Sequence, residues 1–230
     1  MLRLSAVLVG LAMLAAAGPA GAKENMVEAT AKIEASGIVF DRALNGAKAL
    51  PGANPGSLAI ESGPKTDFFR ETDGVTSYGN APVLLTAIDN SHPFSFSTRV
   101  TPSLAETYDA GALYLWVDGE NWLKFAFERD ENGRSRIVTV RTHGTSDDNN
   151  HDAVASESVF LKVSSDTTSL GFYYSVDGKA WQLVRVFRND FPAKLWLGLG
   201  AQSPLGKGNR AEFTSLRLVD ASVKDFRKGE

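Results

Sequence analysis

From Ile38 onward the apolar residues come in short runs broken by Gly, Pro, Asn and Asp: VLLTAI, FSFSTRV, GALYLWV, NWLKFAFE, SRIVTVRT, SVFLKVS, SLGFYYSV, WQLVRVF and LWLGLGA among them. Apolar and polar side chains alternate within the runs, and nothing between them is long enough for a helix. Period-2 alternation repeated about a dozen times predicts an all-β sandwich of antiparallel sheets. The absence of a fixed repeat length counts against a propeller or solenoid. The sandwich is expected to occupy residues 37–222. Residues 23–36 read as a short amphipathic helix or loose arm, with Met26, Val27, Ala31 and Ile33 as its apolar marks, and residues 223–230 as a polar tail.

The stretch from Gly111 to Gly144 divides its side chains unusually. A three-residue loop at Asp118-Gly119-Glu120 sets Leu115 against Leu123 and Leu113 against Phe125 on one face, with Trp116 beside Trp122 and Tyr114 beside Lys124 on the other. Asn132-Gly133 is a strong two-residue turn signal. Such a turn pairs Phe127 with Val138 and Phe125 with Val140, and sets Lys124 opposite Arg141 and Trp122 opposite His143. The second face would then collect Tyr114, Trp116, Trp122, Lys124, Glu128, Arg141 and His143, joined by Trp196 from LWLGLGAQ, where Gly198 and Gly200 leave a shallow groove. Flat rings beside charged donors and acceptors suit a sugar or other polyol, the rings taking C–H surfaces and the polar groups taking hydroxyls. The plainer alternative is a solvated sheet face whose long stems cover the layer beneath.

Composition narrows the partners. The chain has 24 Lys and Arg against 27 Asp and Glu, and the basic residues are scattered, which argues against nucleic acid. Without cysteine there is no disulfide, thiol nucleophile or lipid-anchor thiol to consider. Residues 1–22 join an early Arg3, an apolar run and a small-residue ending, the pattern of a cleaved signal peptide, so a secreted or periplasmic location is expected. No later stretch is apolar enough to span a membrane.

Enzymatic chemistry on such a face would require two carboxylates roughly 5 to 10 Å apart, as in glycoside hydrolysis. Glu128 is one candidate, with Asp67 or Asp109 as its partner. HGTSDDNNHD gathers His143, Asp147, Asp148 and His151, weak candidates for a calcium or zinc site, but it reads better as a hydrated loop without a recognised ligand spacing. No cofactor is implied. Neither a nucleophile elbow nor a phosphate-cradling glycine loop is present.

Thr66-Asp67-Phe68-Phe69-Arg70, Tyr108-Asp109, Asn121-Trp122-Leu123-Lys124 with Glu128, Ser175-Val176-Asp177-Gly178 with Trp181 and Arg185, Gly198-Leu199, and Ser203-Pro204 with Gly208 and Phe213 follow one another in an order that resembles the DUF1349, or regulation-of-enolase-like, family. The resemblance spans roughly residues 57 to 218. It implies a concanavalin A-like lectin/glucanase fold, a jelly-roll sandwich with one concave sheet. Three positions depart from the family pattern: Phe69 replaces a Trp, Ala110 a Gln, and Asp148 the Trp of a Ser-Asp-Trp segment. The Glu-x-Asp-x-x-Glu strand pattern of laminarinase-like enzymes is missing, since Asp130 and Glu131 fall in the turn after Glu128. The expected function is non-catalytic carbohydrate or polyol binding. The alternatives are a glycoside hydrolase or lyase built on Glu128, and a structural or protein-interaction module.

Overall fold

The computed structural model describes residues 26–230, so the expected signal peptide lies outside the described residues. In chain order the strands are β1 (Val27–Ala35), β2 (Ile38–Leu44), β3 (Leu50–Pro51), β4 (Leu58–Ser62), β5 (Phe68–Arg70), β6 (Ser77–Gly79), β7 (Val83–Asp89), β8 (Phe94–Pro102) and β9 (Ala110–Asp118). They continue with β10 (Asn121–Arg129), β11 (Ser135–His143), β12 (Thr145–Ala153), β13 (Val159–Ser165), β14 (Ser169–Ser175), β15 (Gln182–Arg188), β16 (Lys194–Gln202) and β17 (Asn209–Val219). All pair antiparallel into an eight-stranded sheet, β1-β2-β7-β16-β9-β10-β11-β12, a seven-stranded sheet, β15-β14-β13-β8-β17-β4-β3, and a small ribbon, β5-β6. The fold is the all-β sandwich that the alternation predicts.

Leu113, Leu115, Leu123, Phe125 and Phe127 of the larger sheet meet Phe96, Val100, Leu161, Phe172 and Phe213 of the smaller one in the core between them. Each such side chain contributes about 1.5–3 kcal/mol by leaving water. The outer face of the larger sheet carries a second buried cluster, in which Val83, Leu85, Ala112, Tyr114, Trp116, Trp122, Val138, Val140 and Trp196 surround Phe68. That face is therefore largely covered by the ribbon.

The first hairpin has the expected register: Leu115 faces Leu123, Leu113 faces Phe125, Trp116 faces Trp122 and Tyr114 faces Lys124. The second is displaced by one residue. Lys124 lies opposite Val140, Leu123 opposite Arg141, and Asn121 opposite His143. The cause is Asp130, whose carboxylate accepts the backbone N–H groups of Asn132 (2.9 Å) and Arg134 (2.8 Å). Asp130 and Arg134 also pair through the backbone at 2.8 Å, and Gly133 has φ +74°. The loop is thus three residues, Glu131-Asn132-Gly133, closed by a left-handed glycine, instead of a two-residue turn. One extra loop residue exchanges the faces of every side chain on β11. Val138 and Val140 go to the outer face, and Arg141 and His143 leave it.

Burial works against the Asp130 charge, but these two N–H groups and the guanidinium groups of Arg136 and Arg134, each at 2.9 Å, hold its carboxyl down at about 2. Asp130→Ala is expected to cost about 2–3 kcal/mol in urea unfolding, because it leaves buried donors and an arginine unanswered. A loss below about 0.5 kcal/mol would mean that the loop holds its form without this carboxylate.

Three segments differ from expectation. Residues 27–35 form the edge strand β1 instead of a helix or arm, joined to β2 by Ser36-Gly37 with φ +52° and +77°, the two-residue hairpin geometry. Its sparse apolar marks reflect a mostly exposed edge strand. HGTSDDNNHD is not a hydrated loop but the bulk of β12, the other edge of the same sheet. The tail packs back on the smaller sheet: Lys162 donates to the Gly229 carbonyl at 2.8 Å with its ammonium 3.5 Å from the centre of the Trp181 ring, and the Tyr173 hydroxyl donates to the Phe226 carbonyl at 2.9 Å.

Candidate functional site

The ribbon crosses the open face of the larger sheet as a strap, tied at both ends. At one end Thr66 and Ser203 exchange backbone hydrogen bonds of 3.3 and 3.2 Å, and the Ser203 hydroxyl donates to Asp109 at 2.6 Å. At the other, the Arg70 backbone N–H donates to the Ser146 hydroxyl at 2.9 Å, while its side chain donates to the Gly144 carbonyl. Between them Phe68 sits edge-on to Tyr114, Trp116 and Trp122, with ring centroids 5.7, 5.1 and 5.8 Å away. Trp116 and Trp122 stack in parallel, 6.4 Å apart. The strap thus uses the aromatic face as its own packing surface. Tyr114, Trp116 and Trp122 are each 1% exposed.

Beside the aromatic cluster the chemistry becomes polar. Lys124 is buried, and its ammonium donates to Asp67 Oδ1 (3.2 Å), the Phe68 carbonyl (2.9 Å) and Gln202 Oε1 (3.0 Å). Gln202 in turn donates from Nε2 to the Tyr108 carbonyl (3.0 Å) and to Glu128 Oε2 (3.3 Å). Three ammonium donors are thereby matched to three acceptors, which is what a buried lysine requires. The strap and this row enclose a pocket of about 260 Å³, lined by Asp67, Phe69, Glu71, Tyr108, Lys124, Glu128, Glu131, Asp148, Asn150 and Gln202 above Val138 and Val140.

The pocket perturbs its acids. Burial pushes the Glu128 carboxyl up to about 8; the Lys124 charge opposes that, while Asp67, Asp148 and Glu131 add to it. Loss of water also raises Asp148, with Lys124 opposing and the Asp67 and Asp147 charges adding. At neutral pH Glu128 therefore carries its proton and can donate as well as accept. The Tyr114 hydroxyl is pushed well up by burial, then by Asp67 and Glu128, and has no hydrogen-bond partner among the described residues.

The eight residues proposed for the second face do not stay together. Lys124 and Glu128 line the pocket, whereas Tyr114, Trp116 and Trp122 lie sealed beneath Phe68. Trp196 remains on the same face, 8% exposed, flanked by the Arg42 guanidinium at 5.8 Å and the Lys194 ammonium at 5.6 Å. Gly198 and Gly200 leave no groove: a Cβ at Gly200 would come within 2.8 Å of the Tyr114 ring. Arg141 and His143 point to the other side. Arg141 pairs with Asp190 at 2.7 Å over the Phe187 ring, and His143 Nδ1 lies 2.6 Å from Asn121 Oδ1. Both line a separate depression of about 630 Å³.

Of the alternative carboxylates, Asp67 reaches the pocket. Asp109 does not; it is fully buried, held by Ser203 and by the Glu106 backbone N–H. The metal candidates separate because β12 alternates: Asp148 faces the pocket, Asp147 pairs with Arg185 at 2.7 Å on the opposite side, and the His151 carbonyl accepts from Arg136. Among the described residues no three His, Asp or Glu side chains converge to hold a metal ion. Pocket residues not anticipated are Phe69, Glu71, Tyr108, Glu131 and Asn150, and Gln202 was expected on this face but not as a binding residue. Gln202 was legible, since it follows Trp196, Gly198 and Gly200 on the same face of β16; Glu131 and Glu71 enter from turns and carry no periodicity.

Residues 44–221 match the family described as "Protein of unknown function (DUF1349)". The chain belongs to the DUF1349 family. Several of the resembling motifs build the strap: Thr66 meets Ser203, Asp67 meets Lys124, and Asp109 meets Ser203. A curated relative is "Regulation of enolase protein 1" of Saccharomyces cerevisiae, 29% identical over 134 residues, or 57% of this chain and 65% of that protein. The match thus spans just under two thirds of the relative's length. A functionally unknown protein from Saccharomyces cerevisiae has a similar solved structure, with TM-score 0.71 and 25% identity over 79% of this chain and 96% of that one.

The DUF1349 sandwich is related in fold to glycoside hydrolases and lectins. The GH43 protein BlXynB (K247S mutant) of Bacillus licheniformis matches with TM-score 0.56 and 20% identity over 73% of this chain and 33% of that chain. The metal-free lectin I-B4 of Griffonia simplicifolia matches with TM-score 0.50 and 12% identity over 75% and 90%. The secreted or periplasmic location expected from the leader is overturned by the family relationship, since the curated relative is a yeast protein named for regulation of enolase. No helix of the described residues is long and apolar enough to cross a membrane.

Proposed function

We propose that this chain binds a small carbohydrate or polyol, without catalysis, in the pocket between the strap and the larger sheet. The observation that carries this is the pocket itself: about 260 Å³, with Lys124, Gln202 and Glu128 fixed in one hydrogen-bonded row and Phe69 and Tyr108 at its side. Its volume falls just below the range of about 300–1,000 Å³ typical of drug-sized ligands, which favours a single sugar ring over a chain. Pre-positioned donors and acceptors beside aromatic surface are what a hydroxylated ring needs. A broad protein interface is less well supported, because Phe68 already covers the aromatics that such an interface would use.

Calorimetric titration of the full chain with monosaccharides and polyols tests this. Asn150→Ala, on the exposed wall of the pocket, is expected to weaken binding about fivefold by removing one hydrogen bond, with little change in thermal unfolding. Failure of every sugar and polyol to bind, or unchanged affinity in the variant, would remove the basis for this assignment.

A second function is favoured by one feature, the protonated Glu128 sharing its pocket with the carboxyls of Asp67 and Asp148. An acid held neutral beside a carboxylate is the arrangement of glycoside hydrolysis. Release of sugar from aryl glycosides, lost in Glu128→Gln, would establish catalysis in place of simple binding.

A further inference from the structure

We propose that the ligand of this pocket is positively charged, an amino sugar rather than a neutral or phosphorylated one; this rests on the carbohydrate assignment above. Five carboxyls line the cavity, Asp67, Glu71, Glu128, Glu131 and Asp148, against one cation, Lys124. That cation has nothing left to offer: its three donors are already given to Asp67, Phe68 and Gln202. An anionic ligand entering the pocket would meet carboxyls without a free ammonium or guanidinium to answer them, and its exclusion is part of specificity.

The acids are arranged around a space instead of around a point. Among the described residues no three of them converge to hold a metal ion. An ammonium group carried on a hydroxylated ring fits such a distribution, because it can meet one or two carboxyls while the hydroxyls reach the others. The site also holds an acceptor ready for it. Glu128 is 7% exposed, and its only side-chain hydrogen bond is the 3.3 Å contact from Gln202 to Oε2, which leaves Oε1 without a donor among the described residues. The field of these carboxyls reaches the rim, where burial and then Glu131, Glu128, Asp148 and Asp130 raise the Tyr108 phenol. A bound ammonium relieves this crowding of like charge.

The test is calorimetric titration of the full chain at neutral pH with glucosamine, galactosamine and mannosamine, each beside its neutral parent sugar, with N-acetylglucosamine, glucose 6-phosphate and putrescine as controls. At least one amino sugar is expected to bind about tenfold more tightly than its parent, with acetylation removing the gain and glucose 6-phosphate binding more weakly than glucose. Paired Glu71→Gln and Glu131→Gln substitutions are expected to bring the amino sugar toward its parent's affinity while thermal unfolding stays within a few degrees. Equal affinity for amino and neutral sugars would overturn the charged ligand and leave the carbohydrate assignment intact. Binding of putrescine with no sugar bound would overturn both, as would no binding at all.

Discussion

Glu128→Gln is expected to flatten the dependence of stability on pH and to make the protein more stable than its parent above pH 8. In the folded chain the carboxyl is raised to about 8 from an ordinary value of 4.5. Between those two values the folded state holds a proton that the unfolded state has released, so stability falls as pH rises. Each pH unit in that window costs about 1.4 kcal/mol, giving a total on the order of 4 kcal/mol by pH 8. Glutamine keeps the shape, accepts the same hydrogen bond from Gln202 and never ionises. Urea unfolding of both proteins at pH 5, 6.5 and 8.5 reads the effect as a difference, which cancels other titrating groups such as Lys162, lowered to about 8 chiefly by burial. Parallel pH profiles for the two proteins would mean that water reaches Glu128 and its carboxyl titrates normally.

Phe68→Ala should be the most damaging single change outside the inter-sheet core. The ring is 4% exposed and touches three aromatic side chains at once, so truncation leaves a cavity between strap and sheet. The expected cost is about 3–5 kcal/mol, as is usual for a buried Phe→Ala change. Because Trp116 and Trp122 lie directly beneath, their fluorescence is expected to shift to the red in the folded variant. A loss under 1 kcal/mol with unchanged emission would show that the strap is held by its end contacts alone.

The fold was readable because alternation survives where one face of a strand is buried, as in β8, while strands buried on both faces, such as β9 and β10, read as short apolar runs between turns. The first hairpin could be registered from its flanking leucines: although Asp118 accepts from the Glu120 backbone N–H and pairs with Asn121, the register shift between Asn121 and Trp122 restores the expected pairing from Trp122 onward. The second could not be read from Asn132-Gly133 alone: Asp130, two residues earlier, captures two backbone N–H groups and lengthens the loop by one. That single residue decides whether Arg141 or Val140 faces the pocket. The aromatic face was placed correctly for Tyr114, Trp116 and Trp122, but its covering was not legible. The strap has only three residues in each strand and finds the sheet through contacts far along the chain, such as Lys124 with Phe68. Lys124 and Glu128 stood out in the sequence because a charge on an otherwise apolar strand is costly to desolvate unless a partner or a ligand answers it.

The edge strand β12 has one more consequence. A sheet margin normally offers a row of free backbone groups to any other strand, a route to clumping. Here that margin carries Asp147, Asp148 and Asp152 with Asn149 and Asn150 between, nearly all open to water. A second copy approaching this border would bring acid against acid, so Asp148, which gives one wall of the pocket its charge, also belongs to a margin that disfavours such pairing.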